Sequence, residues 1–135
     1  MRSRITLLLV SCCFLLSPLF SAPSLANQDK TEKVLRYCSN FGDGVSFGFS
    51  SCANSNFSRV GIAVGRALRY CFNSGQDVSF SFTSCINSNF QSIESASQGN
   101  LYLRYCSNFS RDRLDFSFIS CVNSNFSQIS LAIPL

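Results

Sequence analysis

Six cysteines between residues 27 and 135 fall as three pairs, Cys38 with Cys52, Cys71 with Cys85 and Cys106 with Cys121. Cysteine can bind zinc, carry redox chemistry or close disulfides, and the surrounding residues decide among these. The chain has no histidine, and none of the six forms a Cys-x-x-Cys. The usual spacings for zinc or dithiol chemistry are therefore missing, and no metal or cofactor is expected. A serine or cysteine nucleophile would likewise lack its commonest base. The acids Asp29, Glu32, Asp43, Asp77, Glu94, Asp112 and Asp115 fall mostly in turns and form no pair kept from one cysteine unit to the next. No catalytic residue is assigned, and the protein is expected not to be an enzyme.

Asparagine and arginine recur with the cysteines. Asn54, Asn87 and Asn123 stand two residues after the second cysteine of each pair, and Asn56, Asn89 and Asn125 two residues further on. A primary amide both donates and accepts, so such a ladder suits either a ligand or buried main-chain groups. Asn56, Asn89 and Asn125 share the apolar face of their segments and are expected to satisfy backbone groups between stacked units, since a buried polar group needs a partner. Asn54, Asn87 and Asn123 are candidates for binding. Arg36, Arg69 and Arg104, each before a tyrosine, are the second candidates: a row of guanidinium groups for carboxylate, phosphate or an anionic polymer. The alternative is an arginine stem packed over an aromatic ring with its head in water. Asn56-Phe57-Ser58, Asn108-Phe109-Ser110 and Asn125-Phe126-Ser127 also match the acceptor pattern for N-glycosylation.

These residues recur because the chain repeats itself. Leu35–Phe57 returns as Leu68–Phe90 and again as Leu103–Phe126. Residues 34–60, 67–93 and 102–129 are three copies of one unit, and each holds one cysteine pair. A self-contained pair lets each unit close on itself, which predicts three disulfides within units. The step of about 33 to 35 residues lies in the range of stacked helical hairpins such as tetratricopeptide repeats, but the marker residues of that family are not recognisable here. Twelve phenylalanines fall four to a unit: Phe41, Phe47, Phe49, Phe57; Phe72, Phe80, Phe82, Phe90; Phe109, Phe116, Phe118, Phe126. Repeats of this length bury apolar faces against the next copy.

The second half of each unit has helical spacing: Phe49, Ala53, Phe57, Val60; Phe82, Ile86, Phe90, Ile93; Phe118, Val122, Phe126, Ile129. Ser46, Ser79 and Asp115 stand where an N-cap would. The first half, Val34 to Phe41 in copy one, sets Val34, Leu35 and Cys38 on one side and Lys33, Arg36 and Asn40 on the other, which reads as a first helix. Asp43-Gly44, Gly75-Gln76-Asp77 and Arg111-Asp112-Arg113 supply the turns. The expected fold is all-α: three tandem disulfide-pinned helical hairpins stacked as a short repeat array. Alternating segments such as Val78-Ser79-Phe80-Ser81-Phe82 leave open a small α+β fold with a short strand before each second helix.

The N-terminus sets the compartment. Arg2 and Arg4 precede an apolar run from Ile5 to Leu16 and small-residue sites ending at Ala26, the order of a secretory signal peptide spanning residues 1–26. Residues 27–33 read as a linker and 34–135 as one repeat domain. Leu9-Val10-Ser11-Cys12 offers a minor alternative, lipid anchoring at Cys12. An exported chain with an even number of cysteines is expected to form disulfides in a secreted or periplasmic location. The formal charge of +4 includes Arg2 and Arg4, so the surplus left after cleavage is too small to argue for nucleic acid. No later segment is apolar for long enough to span a membrane. The expected function is an exported, non-enzymatic binding module for a protein or an extracellular or envelope polysaccharide; the alternative is a small secreted effector, toxin or enzyme inhibitor.

Overall fold

A computed structural model describes residues 34–135; the expected signal peptide, the linker 27–33 and Cys12 lie outside the described residues. The element order is α1 (Phe47–Val64), α2 (Phe80–Ala96) and α3 (Phe116–Ala132), one helix in the second half of each unit. The all-α repeat architecture expected from the sequence is the one observed, with disulfides Cys38–Cys52, Cys71–Cys85 and Cys106–Cys121, each with its Cα atoms 5.6 Å apart.

Each helix starts where a side chain can replace the missing intrahelical acceptor. Ser46, Ser79 and Asp115 sit in extended conformation as N-caps and accept from the backbone N–H of Phe49, Phe82 and Phe118. α1 stops at Gly65, whose left-handed φ of 63° lets its N–H turn back to the carbonyls of Gly61 and Ile62. The alternating segments are therefore cap crossings. Val45, Val78 and Leu114 tuck inward, the next residue caps, and Phe47, Phe80 and Phe116 open the helices on the outside. Among the described residues the one bridge outside the helices is Gly44 to Arg113, so the α+β alternative does not form.

The arm before each turn is extended where a first helix was expected, making each unit a hairpin of one extended arm and one helix. An eight-residue helix is marginal in water, and here side-chain amides satisfy the arm's main chain instead. Asn56 Oδ1 accepts from Arg36 N–H at 3.0 Å, and Asn56 Nδ2 donates to Arg36 C=O at 2.8 Å. Asn89 holds Arg69 and Asn125 holds Arg104 in the same two-bond manner. Asn56, Asn89 and Asn125 thus fasten each arm to the helix of its own unit instead of bonding backbone between units as expected, because the arm of the same unit lies across the helix face that carries them.

A second amide fastens each arm to a different unit. Asn54 accepts from the N–H and donates to the C=O of Cys71, Asn87 does so with Cys106, and Asn123 returns from the last unit to Cys38 of the first. Ser130 Oγ adds a bond from Leu35 N–H at 3.0 Å. The three units close into a ring rather than stacking in an open row. Its centre is aromatic: Phe57, Phe90 and Phe126 meet pairwise edge to face with centroids 5.1–5.4 Å apart, and Phe49 lies 6.4 and 6.5 Å from Phe82 and Phe118. Val60, Ile93 and Ile129 complete this core, fully buried.

The turns converge at the end of the ring where the helices begin. Gly44 N–H donates to Asp112 C=O, Gly44 C=O accepts from Leu114 N–H, and Val78 N–H donates to Arg111 C=O. A third asparagine in each unit shapes its turn: Asn40, Asn73 and Asn108 accept from the N–H of the capping residue six or seven positions on. Gly44 has a φ of 69°, and a Cβ there would stand 2.1 Å from the Gln76 carbonyl oxygen. Gly44→Ala is therefore expected to cost about 1–3 kcal/mol, read as a lower urea midpoint.

Asp115 does in the third unit what a serine does in the others. Burial raises its pKa, but hydrogen bonds from the Ser117 hydroxyl and from the N–H groups of Phe109, Phe118 and Ser110 outweigh that and hold it below the usual aspartate value. Because the folded-state pKa is depressed, the contribution is present above about pH 3.8 and is lost as the pH falls through the folded value. Asp115→Ala is expected to lower stability by about 1 kcal/mol at pH 7, a difference that shrinks in denaturation curves taken below pH 4.

Candidate binding surface

Of the twelve phenylalanines among the described residues, the six innermost are buried and the other six face water. Phe47, Phe80 and Phe116, equivalent first residues of the three helices, are 80–83% exposed, and Phe41, Phe72 and Phe109 at the arm ends are also exposed. Tyr37, Tyr70 and Tyr105 join them. Large aromatics left in water at equivalent places in every unit form a patch that packing does not explain, which is a mark of interaction surfaces.

The same arrangement places the arginines. Main-chain bonds from Asn56, Asn89 and Asn125 fix the backbone on both sides of Arg36, Arg69 and Arg104, and all three side chains are exposed. Arg104 Nη2 reaches Ser124 Oγ at 3.4 Å. In unit two an open cleft of about 470 Å³ is lined by Arg69, Tyr70, Phe72, Phe80, Ser81, Ser84 and Cys85. Unit three has its counterpart, of similar volume, with Arg104, Tyr105, Phe109, Phe116, Ser117 and Ser120. Among the described residues no carboxylate lines either one. Between them, Phe80 and Phe109 line a further cleft with Asp77 and Arg111, so the aromatic surface runs from one unit to the next.

The candidate asparagines part company here. Asn54, Asn87 and Asn123 are buried, at most 8% exposed, and both ends of each amide are taken by the cysteine main chain of the adjoining unit. They are ring closures, not a ligand ladder; the neighbouring arm covers the helix flank that looks free when one unit is viewed alone. Among the described residues no buried side-chain nitrogen or oxygen is left without a partner. Asn125, Asn56 and the cysteines are equally committed, the latter to disulfides.

No family model matches the chain, and no significant match is found among curated proteins or solved structures. Function must therefore be argued from the surface itself. Sequence reasoning found the arginines but missed the exposed phenylalanines, which it assigned together with the buried ones to packing between copies. The available signal was positional: Phe47, Phe80 and Phe116 lie two residues before Phe49, Phe82 and Phe118, about 200° around a helix and so on its opposite side. No helix among the described residues is long and apolar enough to cross a membrane.

Proposed function

We propose that this is an exported, non-enzymatic binding module whose repeated arginine and aromatic clefts engage a protein or an extracellular or envelope polymer. The observation that carries this reading is the recurrence of exposed aromatics beside an outward arginine in each of three units, on a frame held by disulfides and buried amides. A rigid frame limits the conformational entropy lost on binding, and equivalent sites on one body add avidity toward a repetitive partner. Export is supported by the basic and apolar N-terminal sequence and by the three disulfides, which suit an oxidising compartment.

The test compares the wild-type domain with the triple variant Arg36→Ala/Arg69→Ala/Arg104→Ala on columns bearing extracellular proteins and polysaccharides of the source cell. Partners held by the wild type should be lost, or weakened at least tenfold, in the variant. Equal retention of every partner would remove the arginines from the binding surface.

A further inference from the structure

Unit two differs from unit three in a way that adds positive charge. Beyond the cleft it shares with unit three, Arg69 and Tyr70 border a second one of about 510 Å³, where the arm of unit two crosses α1. Arg66 also lines it, with Ser58, Gly61 and Gly65, and again no carboxylate does so among the described residues. The corresponding cleft beside Arg104 is smaller, about 170 Å³, and contains Glu94 in the position that Gly61 occupies in unit one. Gly61 permits the crossing: a Cβ there would stand 2.7 Å from the Arg66 carbonyl oxygen, and Gly61 C=O accepts from Arg66 N–H at 2.9 Å. The segment carrying Arg66 is therefore seated directly on the helix.

We propose, resting on the binding-module reading above, that the two clefts flanking Arg69 form one extended site for a uronic-acid segment of an acidic polysaccharide. Arg66 and Arg69 are separated cations that suit carboxylates repeated along a chain, each by the planar fork of a guanidinium. Tyr70, Phe72 and Phe80 offer exposed ring faces to the apolar faces of sugar rings. Ser58, Ser81 and Ser84 supply hydroxyls, which donate to and accept from sugar hydroxyls. Both clefts are open and meet at the shared residues Arg69 and Tyr70, which suits a polymer spanning the two. An acidic peptide or an anionic lipid surface would also pair with the arginines, but only a uronic-acid chain repeats a carboxylate, an apolar ring face and hydroxyls in every residue.

The experiment is calorimetric titration of the oxidised protein with oligogalacturonate, with polyglutamate, neutral dextran, dextran sulfate and vesicles of anionic phospholipid as comparison probes. Oligogalacturonate should bind more tightly than every other probe. Arg69→Ala should raise its Kd at least tenfold and Arg66→Ala severalfold, whereas Arg113→Ala, on the turn, should leave it unchanged; circular dichroism checks that each variant is folded. Phe80→Ala should weaken oligogalacturonate while leaving the fold intact, since its ring is exposed. Equal weakening by Arg113→Ala, or equal binding of polyglutamate, would reduce the effect to general charge and overturn the proposal. Preference for dextran sulfate or for vesicles, weakened by Arg69→Ala, would overturn the ligand class and leave the binding module standing. If no probe binds and the triple arginine variant retains every partner of the wild type, both readings fall.

Discussion

Full reduction of the protein, with the freed thiols blocked, is expected to abolish its helical fold at room temperature. Each disulfide joins residues 14 or 15 apart, a loop length for which chain entropy gives about 3 kcal/mol. Three such contributions are comparable to the whole stability of an ordinary domain, about 5–15 kcal/mol. The ring makes the loss cooperative. A disulfide pins the arm of its unit to the helix following it, and that same arm carries the backbone groups gripped by the preceding unit. Freeing one arm therefore loosens an interface as well as a unit. Cys71→Ser/Cys85→Ser alone should lower stability by about 3 kcal/mol in denaturant, and loss of all three bonds should remove the helical circular dichroism. A reduced protein that kept its spectrum and its urea midpoint would show that the apolar core suffices.

The second large effect is expected at the asparagines that close the ring. Asn123→Ala strips the partners from both the N–H and the C=O of Cys38, groups that the native structure buries. A buried main-chain group left unmade costs about 1–3 kcal/mol, so the variant should lose about 2–5 kcal/mol in chemical denaturation. Asn123→Asp should be worse than a simple loss of one bond, because a carboxylate would face the Cys38 carbonyl oxygen that the amide nitrogen now contacts at 2.8 Å. Asn54→Ala and Asn87→Ala break equivalent contacts, yet their units are also joined by chain continuity. Asn123 joins residues 85 positions apart, and its loss weakens a junction between the first and last units that no chain connection backs up. A change below about 0.5 kcal/mol at Asn123 would mean that water replaces the amide at no cost.

Much of the unit was legible in the sequence because its signals are local. The apolar spacing of Phe49, Ala53, Phe57 and Val60 defines a helical face, the caps sit one turn ahead of it, and the self-contained cysteine pairs fix the disulfides. Asn56 on that face meets backbone, but of its own unit's arm and not of a stacked neighbour. The arm was not legible as extended, since Leu35 and Cys38 suit a helix as readily as a segment whose hydrogen bonds come from side chains. Nor was the ring. Asn54 lies off the apolar face of its own helix, and it is buried only because the next unit's arm lies over it, a contact that no periodicity within one unit encodes. The retention of Asn54, Asn87 and Asn123 in all three units was the clue, because a backbone clamp is needed at every interface. Asn40, placed by the helical reading on the side opposite Leu35 and Cys38, is a turn builder for the same reason, as are Asn73 and Asn108: the arm is not a helix.

The sequence was least informative about the outer surface. The six buried and six exposed phenylalanines are chemically alike, and only the closed ring decides which of them packing consumes. Phe57, Phe90 and Phe126 meet at its centre, while Phe47, Phe80 and Phe116 are left outside beside the arginines. The clefts exist because amides hold the arms from both sides, so any function of those clefts depends on ring closure.

Amide hydrogen exchange of the oxidised protein, followed residue by residue by NMR, tests that closure most directly. The N–H groups of Cys38, Cys71 and Cys106 are each bonded at 2.7 Å to an asparagine of another unit. All three should be strongly protected and should exchange at similar rates, through opening of the ring as a whole. Rapid exchange at Cys38 beside slow exchange at Cys71 and Cys106 would contradict the account, because it would describe an open row of units whose first and last members do not meet.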